Sequence, residues 1–201
     1  MTNTSKKTRT LVEIGMLGAI ATVLMLFEFP LPFIAPPFYE LDFSEVPVLV
    51  GAFALGPMAG ATIELVKILL NLLINGTKTA FVGEIGNYLI GCSFISPAAV
   101  IYKKRKTKKN AMLAMVVGTI SMVMFGCIMN AYVLLPTYAA AFGMSLDEII
   151  GFGSSINANI TNVTSFVAIA VAPFNIIKGV LVSAITLLIY KHISPILKGN
   201  R

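Results

Sequence analysis

Six apolar runs, at about 10–29, 45–56, 58–75, 80–102, 110–135 and 165–194, occupy most of the 201 residues and limit what the chain can become. A helix needs about 20 mostly apolar residues to cross a bilayer, and five of the runs are that long or nearly so. Composition agrees: 57% of residues are apolar and 12% charged, where soluble domains carry about a quarter charged. The expected fold is an all-α membrane protein with six transmembrane helices, built as one integral-membrane substrate-binding domain over 1–201. The second and third runs meet at Gly56 and Pro57. Proline is tolerated in a first helical turn but disrupts a helix interior, so a tight turn is expected there, with one long kinked helix as the alternative.

The formal charge of +6 sits in three clusters that flank apolar runs. Lys6, Lys7 and Arg9 form the first, Lys103 to Lys109 the second, and Lys191, Lys198 and Arg201 the third. Nucleic-acid binding is a poor reading, because no soluble portion is left to present a base-reading element. Basic flanks instead mark the cytoplasmic side of membrane helices. Six crossings put all three clusters there, with both termini cytoplasmic and long outer loops at 30–44 and 136–164. The apolar run after the basic start is too long for a signal-peptide core, and it is expected to remain as the first helix. Cys92 and Cys127 lie in apolar segments, where free cysteine behaves as a small hydrophobe.

Both long outer loops have unusual composition. The first contains PLPFIAPPFYELDFSE, whose prolines oppose helix and whose aromatics suit a partly buried lid. The second contains Ser145 followed three residues later by Glu148, the spacing of a capping box, and predicts a short helix before Ile149 and Ile150.

Charges at bilayer depth cost at least about 2.5–3.5 kcal/mol, so Glu64, Lys67, Glu84 and Lys178 each need a partner or a wet cavity. Glu64 and Lys67 are three apart and can pair on one helix face. Asn175 lies one turn before Lys178 in PFNIIKG, and Pro173 is expected to place both near the outer part of a helix that starts in the loop. Amide and ammonium together can grip an amide edge or a polyol, or alternatively clasp two helices. Asn130 at the outer end of the fifth run, and Glu84 with Asn87 at the start of the fourth, are expected at similar depth. They would converge on an outward-facing pocket with Met58, Phe81, Phe94 and Tyr132 as candidate walls, suited to a flat aromatic ligand.

In the first helix, Gly15 and Ala19 have the small-xxx-small spacing that lets membrane helices approach closely. They can face a partner subunit or a neighbouring helix of the same chain. No phosphate-binding GxxxxGK[ST] loop is present, and His192 is the single histidine, so ATP hydrolysis and histidine-based metal or nucleophile chemistry have no support. The chain is not expected to be an enzyme, and no cofactor or metal site is expected.

LFEFPLPF with YELDFSEVPVLVGAFALGP, FVGEIGNYLIG and APFNIIKG together resemble the substrate-binding S component of energy-coupling-factor vitamin transporters, within it the riboflavin-specific group. The resemblance extends over nearly the whole chain. It implies a six-helix fold that captures riboflavin near the outer surface of the cell membrane. A transmembrane coupling protein and two ATPase subunits would then drive release inward. It further implies that Tyr39 and Asp42 belong to a loop over the pocket. Asn130, Asn175 and Lys178 would contact the flavin ring or ribityl chain, with Lys67, Glu84 and Asn87 completing the candidate set. Gly15 and Ala19 would face the coupling protein, although alanine is commoner where Gly15 stands. An S component for thiamin, biotin or folate is the nearest alternative, and a membrane scaffold or assembly protein is an alternative of another class.

Overall fold

The computed structural model describes residues 3–198, so Arg201 of the third basic cluster lies outside the described residues. Helix α1 runs Asn3–Met25, α2 Glu45–Leu55, α3 Pro57–Asn75, α4 Val82–Lys104 and α5 Lys108–Met129. A π turn over Asn130–Leu134 joins α5 to α6, Leu135–Phe142. Helix α7 is Leu146–Ser154, and α8, Val163–Phe166, passes through a second π turn, Val167–Val171, into α9, Ala172–Lys198. Five of these rods, with the continuous stretches 108–142 and 163–189 counted as one each, are long and apolar enough to cross a membrane; Glu45–Leu55 is apolar but shorter.

The outer faces of the rods are themselves apolar. Leu11, Met16, Ile20 and Val23 on α1, Leu69 and Leu73 on α3, and Val116, Ile120 and Met124 on α5 are all exposed. Helices apolar all round belong in lipid or in a large core, and here the exposed apolar side is the lipid-compatible one. Inside, Leu49, Phe53, Ile63, Phe94, Ile95, Tyr102, Met115 and Met122 form the main core. Phe53 and Tyr102 stack at 4.3 Å between centroids. Close approach of α4 and α5 depends on Gly118, where a Cβ would stand 2.6 Å from the Phe94 carbonyl oxygen.

Gly56 separates α2 from α3 with φ at 105°, and Pro57 opens α3. The tight turn is therefore what forms, since positive φ favours glycine and proline fits a first turn. The capping box also forms, with Ser145 Oγ accepting from Glu148 N–H and the Glu148 carboxylate accepting from Ser145 N–H.

Two boundaries differ from the apolar runs. Helix α1 stops at Met25 instead of 29, because Phe29 precedes Pro30 and the residue before proline is pushed out of the helical region. Phe29–Pro30 instead pairs antiparallel with Glu40–Leu41, closing the lid segment into a small loop. The fifth rod continues through Pro136 to Phe142, whereas the sixth begins at Val163, within two residues of its apolar run, with Pro173 inside it. Both prolines sit two residues after a π turn. In a plain α-helix a proline ring clashes with the carbonyl four residues back; here those carbonyls, of Tyr132 and Ile169, fall inside the widened turns. Leu135 N–H reaches Asn130 O, and Ala172 N–H reaches Val167 O.

A charged cluster ties α2 to α3 in the interior. Lys67 Nζ is 2.9 Å from Glu45 Oε1 and 2.7 Å from Glu64 Oε1, and all three side chains are essentially inaccessible. The Glu64–Lys67 pairing suggested by their spacing is thus present, and Glu45 is added to it. The second oxygens of both carboxylates have no hydrogen-bond partner among the described residues. Breaking a buried ion pair from one side is more harmful than removing it whole. Lys67→Met is therefore expected to lower stability by on the order of 3–5 kcal/mol, seen as a reduced Tm in detergent. Combining it with Glu45→Gln and Glu64→Gln should restore most of that loss.

Candidate binding site beneath the lid

The lid lies over the ends of α3 to α5 and the start of α9, and encloses a cavity of about 170 Å³. Tyr39, Asp42, Glu84, Asn87, Asn130, Asn175 and Lys178 all line it. Seven of the eight candidates read from sequence are thereby brought together. Lys67 does not line the cavity; its ammonium is consumed by Glu45 and Glu64 behind the floor, which Glu45 and Gly91 supply. Gly91 permits that floor, since a Cβ there would stand 2.5 Å from Glu64 Oε1.

Two polar clasps hold the lid to the helices. Lys178 Nζ donates to Asp42 Oδ2 at 3.0 Å, with both groups buried, and the Tyr39 hydroxyl donates to Asn130 Oδ1. Asp42 Oδ1 also accepts from the Ser44 backbone N–H at 2.6 Å. Each asparagine is fixed from behind. Asn130 Nδ2 donates to Gly126 O at 2.8 Å, and Asn175 Nδ2 donates to Val171 O at 3.0 Å. Gly126 also gives Asn175 room to lie against α5, because a Cβ there would be 3.0 Å from Asn175 Nδ2. Lysine has three N–H donors, so Asp42 leaves capacity on Lys178 for a second acceptor. Thr79 Oγ1 donates to Glu84 at 2.8 Å, fixing a carboxylate at the rim.

At the mouth, Lys78 lies 3.1 Å from Glu28 and 3.9 Å from Glu40, linking the lid to the turn between α3 and α4. Hydrogen bonding and attraction to Glu28 hold the Lys78 amine above its ordinary range. Burial pushes the Tyr39 hydroxyl well above the usual tyrosine range, so it stays a donor. Burial would also raise Asp42, but the charges of Lys178 and Lys67 and the Ser44 hydrogen bonds outweigh it and hold the carboxyl at about 2.

The aromatic wall differs from the sequence expectation. Met58, Phe81 and Tyr132 point outward and are more than half exposed, while Phe94 is buried in the main core. Phe38, Tyr138 and Phe174 line the cavity instead, and Tyr39 packs on Phe174 at 5.6 Å. Tyr132 is displaced because it sits within the π turn, and Phe81 because it adopts a left-handed conformation, φ 68°, just ahead of α4. Glu45, Glu28 and Lys78 were not singled out from sequence. Glu45 opens an apolar run, where a carboxylate ordinarily marks an interfacial end, and a lone charge in a turn carries no signal of its distant partner.

The small residues of α1 divide between two faces. Gly18 packs inward against Val66, and Thr22 Oγ1 donates to Gly18 O at 2.8 Å. Gly15 and Ala19 are exposed, and nothing stands within 4 Å of a Cβ built on Gly15. The contact within the chain is thus made by Gly18, and the Gly15–Ala19 stripe is left open. Cys92 and Cys127 are free thiols.

Because the Asp42 carboxyl is depressed in the folded protein, its contribution is fully present above the unfolded value of about 3.9 and fades as pH falls towards about 2. The Asp42 clasp should therefore contribute equally across pH 5–8. Asp42→Asn is expected to lower Tm throughout that range, by on the order of 3 kcal/mol in stability, and Lys178→Met placed in the same chain should recover most of it. A Tm loss that appears only at one end of the range would contradict this assignment.

Comparison with known proteins shows the family. Residues 9–190 match the family described as ECF transporter, substrate-specific component. The chain is 37% identical over 194 residues to a Staphylococcus aureus protein named riboflavin transporter RibU, covering 96% of this chain and 94% of that one. It is 31% identical over 196 residues to the Bacillus subtilis riboflavin transporter FmnP, covering 97% of both. A solved S component of a bacterial ECF transporter superposes with a TM-score of 0.75 at 36% identity, over 96% of this chain and 99% of the other. With its lidded polar cavity set among long apolar helices, the chain is a multi-pass membrane protein and belongs to the substrate-specific components of ECF transporters.

Proposed function

We propose that this chain captures riboflavin outside the cell and delivers it through an ATP-driven energy-coupling-factor complex in the cell membrane. The observation that carries the reading is the lidded cavity in which Asn130, Asn175 and Lys178 meet Tyr39 and Asp42, in a chain so like named riboflavin transporters over its length. A flavin offers carbonyl oxygens and an N–H along one edge, hydroxyls along its ribityl chain and an apolar ring face. Lys178 donates to carbonyl or hydroxyl oxygens, the Asn175 amide serves either role, and Tyr39 and Phe174 face the ring. The lid-closed cavity of about 170 Å³ is below the roughly 300 Å³ at the small end of ligand pockets, so the ligand enters with the lid displaced.

The helix lengths and the basic clusters support entry from outside. Glu84 at the cavity and Lys103 in the central basic cluster lie on the same helix α4, nineteen residues apart and so separated by about 28 Å. The cavity and the basic loop therefore occupy opposite ends of the bundle. Basic loops stay inside, and this supports a lid facing outward, both termini in the cytoplasm and α2 as a short sixth crossing. The exposed Gly15–Ala19 stripe on α1 is the surface for the transmembrane coupling protein, since small residues permit close helix contact. Two partner ATPases supply energy; this chain performs transport rather than catalysis.

Purified protein should quench riboflavin fluorescence on binding, and an unchanged signal on addition would reject riboflavin as ligand. Asn175→Ala and Lys178→Ala should each weaken binding at least ~10-fold, which corresponds to about 1.4 kcal/mol, in protein shown to be folded. If the two residues serve only to brace the lid, riboflavin affinity in the folded variants stays at the wild-type value.

A further inference from the structure

A second cavity, of about 370 Å³, adjoins the first on the side of α6 and α7 and is not used by the capture site described above. The two share Phe38, Glu40, Lys78, Thr79 and Tyr138 as a common wall, so they are consecutive chambers. The outer one is completed by Pro37, Phe142, Met144, Ile149 and Phe152. Its rings come from three separate elements: Phe38 from the lid, Tyr138 and Phe142 from α6, and Phe152 from α7. Phe38 meets Phe152 nearly edge-on at 83° and 6.4 Å, Phe38 meets Tyr138 at 5.8 Å, and Tyr138 lies almost parallel to Phe142 at 9° and 6.0 Å.

Phe142 and Phe152 are 50% and 45% exposed, so these rings are positioned at a chamber wall without being buried by it. Aromatic rings pair best in offset-stacked or edge-on arrangements, and a slot walled by rings from several sides favours a flat ring over a flexible chain. The threshold between the chambers carries the Lys78 ammonium and the Glu40 carboxylate, polar groups that movement of the lid would separate.

We propose that the outer chamber is an entry subsite for a planar aromatic heterocycle, where the solute stacks before the lid admits it to the inner cavity. This rests on the riboflavin reading above, and identifies α6 and α7 as the elements that collect the ligand. The walls of the outer chamber beyond the shared five residues do not reach the inner cavity. They should therefore govern how fast the ligand arrives and departs, with little effect on how tightly it is finally held.

Stopped-flow riboflavin quenching on the full chain in lipid nanodiscs tests this, using Phe152→Leu to remove a ring and Met144→Trp to fill the space. Both variants should slow association at least fivefold while the equilibrium Kd stays within twofold of wild type. Phe142→Leu takes the place of either variant if that variant cannot be extracted as monodisperse protein. Association unchanged in either variant overturns the subsite, as does a Kd raised more than twofold, which would make these residues part of the final site. Wild-type protein that gives no quenching with riboflavin is a separate result: it removes the capture reading itself, and the subsite with it.

Discussion

Everything in this molecule is arranged around the cost of holding charge inside an apolar bundle. Lys67 sits between Glu45 and Glu64 with no access to solvent, and none of the three could remain ionised alone at that depth without a large penalty. Their mutual attraction fixes α2 against α3 and leaves a floor with carboxylate on its upper side, lined by Glu45 and Gly91. An apolar floor would have packed as well. The charged one fixes the register of two helices separated by only the Gly56 turn.

The same logic governs the lid. Asp42 and Tyr39 are partners for Lys178 and Asn130, so the closed loop satisfies groups that would otherwise stand bare in the cavity. A ligand that brings its own acceptors and donors competes with, or adds to, those contacts. The lid is consequently both cover and substitute partner. Around the mouth, Lys78 with Glu28 and Glu40 makes a weaker tie, because Lys78 is largely exposed and exposed ion pairs contribute little.

Much of this was legible in the chain. Long apolar runs located the helices, the Gly56–Pro57 pair located the turn between α2 and α3, and the Ser145–Glu148 spacing located α7. The convergence of Asn130, Asn175 and Lys178 followed from charge and amide groups at matched depth. What was hidden was azimuth. Depth along a membrane helix is readable from distance to its polar ends, but which way a side chain points depends on the phase of the helix, and a single π turn resets that phase. Tyr132, two residues past Asn130, faces outward for this reason. Lys67 was misassigned because Glu45, its second partner, belongs to another helix and announces itself only as the first residue of an apolar run.

The two proline-associated π turns amount to one extra residue spliced into each of two rods. An ordinary α-helix advances about 100° per residue, so each splice rotates everything beyond it relative to everything before. On the fifth rod, Asn130 stands at the splice and the aromatic slot on α6 lies past it; on the sixth, α8 precedes the splice and Asn175 and Lys178 follow it. Removing a single residue from either turn would keep the rod unbroken and its hydropathy unchanged, yet would turn the two halves out of alignment. The greasy exterior of these rods should therefore tolerate substitution far more readily than a change of length between residues 126 and 138, or between 163 and 178.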